Sequence, residues 1–289
     1  MNSGGKMRFR KWIGLSLGVI AALGLAAVAY TYFASERIID RRYPAAGSHI
    51  HASTDPKVIA LGKLLVRPYG CADCHRPNLQ GAYIRDFGMS SRNLTRLAGA
   101  FSDADFDRVI RRGLRPDGTS VPESMPSDAF QYMPDSDVVA IVSYVRSLKP
   151  AGTDIPEPSY GLITRVGLLR GMYKADISWS PLQKPALDLG PRYARAREMA
   201  MTACGECHTT SLEGQHGPPG TPPDLSIVAS YERADFLKFM RTGKAAGNRE
   251  LPMMSAVARV RISHLSDSEL NALYDYLAAR GRELTRSGS

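Results

Sequence analysis

All four cysteines of this 289-residue chain fall in two runs of identical spacing, Cys71-Ala72-Asp73-Cys74-His75 and Cys204-Gly205-Glu206-Cys207-His208. Four cysteines are too few to staple a chain of this length as a disulfide scaffold, so their pairing points to local chemistry instead. Other segments repeat at nearly the same offset. Asp105-Phe106 leads to Arg111 and Gly113, and Asp235-Phe236 leads to Arg241 and Gly243. Phe106, Val109 and Ile110, like Phe236, Phe239 and Met240, recur at helical spacing, and each glycine is placed to close its helix in the left-handed conformation. Residues 137–145 align with residues 269–277 as a closing amphipathic helix, and Ser266 with Glu269 forms a capping box for the second copy. Each copy reads as helix, cysteine pair with histidine, loop, helix, loop, helix, with no convincing alternating strand. The expected class is all-α. The first helix of the first copy begins at Asp55-Pro56, a cap followed by proline at the first helical position, and carries Val58, Leu61 and Leu65 on one side; its counterpart is residues 191–202.

A Cys-x-x-Cys-His run places two thiols on one side of a helical turn, able to add to the two vinyl groups of haem. The imidazole that follows reaches the iron as proximal ligand. Two other chemistries use paired cysteines. A four-thiolate zinc site assembled across the repeat would not require a histidine after each pair, and a thioredoxin-like dithiol would need a βαβ pattern that the sequence lacks. Two covalently attached haem c groups are therefore expected, on Cys71, Cys74 and His75 and on Cys204, Cys207 and His208. Of the remaining histidines, His49 and His51 precede the first helix, His264 stands at a helix start, and His216, in the loop Gly214-Gln215-His216-Gly217, is the one alternative ligand worth testing.

Ahead of the repeats, residues 12–33 carry no charged side chain, and at 1.5 Å per residue they are long enough for a hydrocarbon layer of ~30 Å. Lys6, Arg8, Arg10 and Lys11 precede the run, which keeps residues 1–11 in the cytoplasm and sends the rest across the membrane, although Arg37, Arg41 and Arg42 weaken the asymmetry. Ala27-Val28-Ala29 also resembles a signal-peptide cleavage site; the run is longer than the ~7 to 15 residues of a usual signal core, which favours a retained anchor. With 44% apolar and 22% charged residues the remainder can bury real cores, so whole-chain disorder is excluded. The net charge of +9 does not select a partner, because the four basic residues of the tail and four haem propionates leave the exported part close to neutral.

The two copies resemble class I cytochrome c domains, and the chain is similar to membrane-anchored di-haem c-type cytochromes of bacteria. Beyond the haem runs the resemblance rests on Leu79 and Gly81, Leu212 and Gly214, Asn93-Leu94-Thr95, and Tyr144 and Tyr276 in the closing helices. It implies two tandem cytochrome c-like domains behind one N-terminal transmembrane helix, with first and last helices crossing closely at Gly62 and Tyr144. The expected layout is a tail (1–11), an anchor or uncleaved signal (12–33), a linker (34–54), domain one (55–149), a connector (150–189) and domain two (190–283). The connector, with five prolines, Trp179 and a short helix within residues 162–173, is expected to pack along both domains.

The resemblance also implies a late methionine as sixth iron ligand. Met125-Pro126 matches the family pattern, while Met133 before the closing helix is explained by core packing. The second copy departs from the pattern, offering Met253-Met254-Ser255 and replacing Asn-Leu-Thr with Asp224-Leu225-Ser226. Either methionine could serve; Met254 is the expected ligand, with Met253 against the haem wall. Irons with both axial positions filled imply an electron carrier, not an enzyme, relaying single electrons between redox-partner proteins at the periplasmic face of a bacterial inner membrane, with no nucleic-acid partner. A dehydrogenase is a candidate donor, although the three-haem version of that plan needs a third motif, absent here. The alternative is a di-haem enzyme, a peroxidase or a thiosulfate-oxidising cytochrome, which needs one open iron.

Overall fold

A computed structural model describes residues 3–44, 47–84, 89–122, 124–156, 160–172, 182–217 and 220–287. The first helix, α1 (Ser3–Ile39), includes a stretch, Phe9–Ile39, long and apolar enough to cross a membrane, with none of its most apolar window covered by the rest of the protein. It extends beyond the uncharged run on both sides, and no proline stands in the chain before Pro44 to interrupt it.

The first module then runs α2 (Pro56–Leu65), α3 (Cys71–His75), β1 (Ala82–Ile84), β2 (Met89–Ser91), α4 (Leu94–Leu97), α5 (Asp103–Arg112) and α6 (Asp135–Ser147). Asp55 caps α2 by accepting a bond from the Lys57 amide at 2.8 Å, with Pro56 in the first turn. Gly62 and Leu65 are the residues of α2 that become buried; Leu61 is 37% exposed, so the apolar side read from the sequence is narrower than its pattern suggests. Gly62 faces α6 so closely that a Cβ there would lie 1.9 Å from the Ala140 carbonyl oxygen and 2.8 Å from the Tyr144 Cβ. The close crossing at Gly62 and Tyr144 is thus present. A capping box of Ser102 and Asp105 starts α5, and Gly113, at φ 63°, ends it.

After the connector helix α7 (Leu162–Leu169), the second module runs α8 (Ala194–His208), α9 (Arg233–Thr242), β3 (Lys244–Ala245), β4 (Arg249–Glu250), α10 (Met254–Val260) and α11 (Asp267–Ser287). Gly243 closes α9 at φ 72°, and Ser266 and Glu269 exchange the two bonds of a capping box ahead of α11. Two features differ from the sequence reading. Two short antiparallel ladders, β1 with β2 and β3 with β4, hold loops in an otherwise helical fold. The second cysteine pair is also not on a separate turn: α8 continues through Cys204 and His208, whereas Pro68 and Gly70 (φ 76°) break the first copy between α2 and α3.

One continuous apolar core spans both modules, from Leu65, Phe106 and Val142 to Met199, Leu212, Phe236 and Leu273. Helix α8 packs on the 3-10 turn Ala129–Tyr132 of the first module. At the seam, Asp137 is 1% exposed and accepts a bond from the Tyr69 hydroxyl at 2.5 Å and an ion pair from Arg195 of α8 at 2.8 Å. A buried carboxylate needs such partners, since losing one leaves an uncompensated charge in low dielectric. The connector packs along both modules. Ala151 and Thr153 carbonyls accept from the Asn93 side chain, Gln183 accepts from the Tyr132 hydroxyl at 2.5 Å, and Lys184 and Leu187 carbonyls accept from Thr210 and Tyr276. Trp179 lies outside the described residues. Helix α7 docks on the end of α1, where buried Arg165 donates to Ser35 at 2.7 Å, pairs with Glu36 at 3.0 Å and lies 4.4 Å from the Tyr32 ring centre.

Because a side chain at residue 62 has no room against α6, Gly62→Val is expected to destabilise the haem-loaded protein by ~1–3 kcal/mol in guanidinium unfolding. Gly47→Ala, at a position with open space around it, should change stability by less than ~0.5 kcal/mol in the same assay.

Candidate functional site

The two motif histidines are held by the same bond. His75 Nδ1 lies 2.8 Å from the Arg92 carbonyl oxygen and His208 Nδ1 lies 2.7 Å from the Pro223 carbonyl oxygen. A carbonyl can only accept, so each Nδ1 carries the proton and donates it, leaving Nε2 with a free lone pair for a metal. Burial also pushes the pKa of both imidazoles down, opposed in part by the same carbonyl bonds, which keeps them neutral as iron ligation requires. Around each histidine the backbone repeats closely. Gly81 and Gly214 donate their amides to the carbonyls of His75 and His208 at 2.9 Å. The Leu94 amide reaches the Leu79 carbonyl at 2.9 Å, and the Leu225 amide reaches the Leu212 carbonyl at 3.0 Å. Leu79 and Leu212 share a left-handed backbone, φ 57° and 62°, and both are fully buried, so apolar burial offsets a conformation that leucine rarely adopts.

In the first module a cavity of about 170 Å³ is lined by Cys71, Cys74, His75 and Met125 together with Phe106 and Phe130. Desolvation pushes the Cys71 and Cys204 thiols up to about 12, so both surroundings favour an uncharged sulfur. That is the opposite of the electropositive environment of a reactive dithiol, and it suits a thioether bond to a flat apolar macrocycle. Among the described residues, no three His, Cys, Asp or Glu side chains converge in a metal-binding group, so the two pairs do not form a shared four-thiolate site. The residues of the first module fit haem c.

Met125 shares the cavity of its motif histidine, on the loop ahead of α6. Met254 stands at the start of α10, partly buried against the core near Leu251 and Val257. Met253, at the N-cap of α10, is 72% exposed to the rest of the chain. Met133 is 2% exposed and belongs to the core. His216 and His264 are exposed, and His49 is bonded to Asp135 at 2.8 Å.

The departure at residue 224 has a structural counterpart. Asn93 caps α4 by accepting from the Thr95 amide, and its amide group donates to the connector. Asp224 keeps the cap, accepting from the Ser226 amide at 2.6 Å, but accepts a second bond at 2.8 Å from Arg280, whose side chain is 2% exposed. Desolvation raises the Asp224 pKa, yet the Arg280 and Ser226 bonds outweigh it and hold the carboxyl below its usual range. Sequence reasoning passed over the carbonyls of Arg92 and Pro223. Both immediately precede the segments 93–95 and 224–226 that align across the repeat, so the duplication itself was the available signal.

Comparison with known proteins agrees with this geometry. The family model for cytochrome c matches residues 59–149 and 193–280. The chain is 23% identical to the fructose dehydrogenase cytochrome subunit of Gluconobacter japonicus, over 78% of this chain and 53% of that protein. It is 25% identical to the cytochrome c subunit of the quinone alcohol dehydrogenase of Gluconobacter oxydans, over 89% of this chain and 58% of that protein. It is 24% identical to the gluconate 2-dehydrogenase cytochrome c subunit of Pantoea cypripedii, over 78% and 60% respectively. The chain thus spans little more than half the length of the curated relatives it matches. With the motif histidines bonded alike in both modules and the family match covering most of each, this chain belongs to the cytochrome c family, whose members carry covalently bound haem c.

Proposed function

We propose that this protein is a membrane-held relay that passes single electrons through two haem c groups, one in each module (residues 55–149 and 190–283). The observation that carries this reading is the duplicated histidine–carbonyl bond, together with Met125 in the cavity of His75. Haem iron held by a histidine and a methionine supplies a one-electron couple and leaves no position for a substrate. The chain's own residues then have distinct tasks. Cys71 and Cys74, and Cys204 and Cys207, tether the macrocycles, while His75 and His208 present Nε2 in a fixed orientation through their bonds to Arg92 and Pro223. Met125 and Met254 would hold the iron as soft thioether ligands, which favour the ferrous state. Phe106 and Phe130 exclude water from the first site, which also raises the potential by penalising the ferric charge.

Residues 12–33 of α1 hold both modules at the periplasmic face of a bacterial inner membrane, the basic tail staying in the cytoplasm. The relatives are cytochrome subunits of fructose, alcohol and gluconate dehydrogenases, which supports a dehydrogenase as the electron donor and a respiratory component as the acceptor. The exported part is close to neutral, so partner binding depends on local charge and no direction of salt dependence follows.

Mass spectrometry of the intact purified protein is expected to show two added haems that acid–acetone does not extract. One haem, or none, contradicts the relay. Met125→Ala and, separately, Met254→Ala should each turn one haem high-spin and lower its potential in a spectroscopic redox titration, whereas Met253→Ala should leave both spectra unchanged. The reverse result for the two adjacent methionines would reassign the second ligand. In stopped-flow mixing with hydrogen peroxide, the half-reduced protein is expected to show no fast saturable turnover. Fast turnover that disappears on replacing His75 or His208 would identify a di-haem peroxidase instead.

A further inference from the structure

The two haem-attachment segments lie far apart in the chain, yet one side chain joins them. Arg261, at the end of α10, donates its Nε–H to the Asp73 carboxylate, and its terminal nitrogen lies 2.5 Å from the Glu206 carboxylate. Asp73 and Glu206 occupy the same register, the residue just before the second cysteine of each pair. The Arg261 side chain is 17% exposed, and its guanidinium lies against Gly70, where a Cβ would come within 2.7 Å of its central carbon. Arg261 and Glu206, both from the second module, line the cavity of the first alongside Cys74 and His75. A planar fork bonding two carboxylates at once has little freedom, so it holds both segments in one arrangement.

We propose that Arg261 is a positioning residue for both redox centres: it locks the two attachment segments together and offsets the two carboxylates that sit between them. The inference rests on the two-haem reading of the motifs. Its physical content is electrostatic. With Arg261 present, the triad of Asp73, Glu206 and Arg261 carries one net negative charge; without it, two. Negative charge near an iron favours the ferric over the ferrous state, and in a site partly closed to water the effect is weakly screened. Losing Arg261 therefore lowers both potentials, although the residue belongs to only one module. Because the haems share one bridge, the change is common to the pair.

The test is a spectroscopic redox titration of the full-length protein in detergent, with haem content counted first by mass spectrometry. Two haems on the unaltered protein satisfy the underlying reading, and fewer than two defeat that reading independently of the titration. Arg261→Gln is expected to lower both midpoint potentials. Arg261→Lys, which keeps the charge, should restore most of the loss, and adding Asp73→Asn and Glu206→Gln to Arg261→Gln, which leaves the triad uncharged, should carry both midpoints above their starting values. Should Arg261→Gln fail to mature, the Asp73→Asn, Glu206→Gln double variant tests the same idea with the opposite sign, since an uncompensated Arg261 raises both midpoints. Unchanged midpoints, movement of only one, or equal shifts for the glutamine and lysine variants overturn the proposal. A merely structural role changes thermal stability without this dependence on charge.

Discussion

Each motif histidine gives its Nδ1 proton to a backbone carbonyl, 17 residues downstream in the first module and 15 in the second. The rest of each site is arranged around that bond. It selects the tautomer that leaves Nε2 free, and it ties the attachment segment to the loop that enters the capped turn at Asn93 or Asp224. The buried leucines at residues 79 and 212 hold the intervening chain in a left-handed kink so that the loop returns to the histidine. Without that return the imidazole would be free to rotate, and a ligand that rotates cannot hold an iron at constant geometry.

The duplication is faithful in backbone and free in side chains. Where the first module satisfies Asn93 with carbonyls of the connector, the second satisfies Asp224 with Arg280 from α11. Asn93 is buried and Asp224 only half-buried, yet each keeps its capping bond and gains a further partner. The same freedom separates Met125, on a loop, from Met254, at a helix start.

The modules are not beads on a string. They share a core, a buried carboxylate bridged by Tyr69 and Arg195, and the guanidinium of Arg261 between the two attachment segments. A relay benefits from such rigidity, because a fixed separation between centres keeps one geometry through each oxidation and reduction. The connector contributes as well, bonding to both modules and resting α7 against the end of α1, so the orientation of the pair is linked to the membrane helix.

The sequence alone was enough for the all-α class, the duplicated module, the long apolar N-terminal helix and the two Cys-x-x-Cys-His runs, because these depend on short-range spacing and on the periodicity of apolar residues. The capping boxes, the glycine helix stops and the tight crossing at Gly62 were legible for the same reason. Tertiary structure decided the rest. The helix break before Cys71 and its absence before Cys204 depended on Pro68 and Gly70, whose combined effect is visible only in the folded path. The exposure of Met253 and the partial burial of Met254 followed from how the turn into α10 meets the core, which no spacing rule encodes. Arg261 and Asp73 are 188 residues apart. A contact at that separation leaves no periodic trace in the sequence, and it forms only because the shared apolar core brings the two modules together.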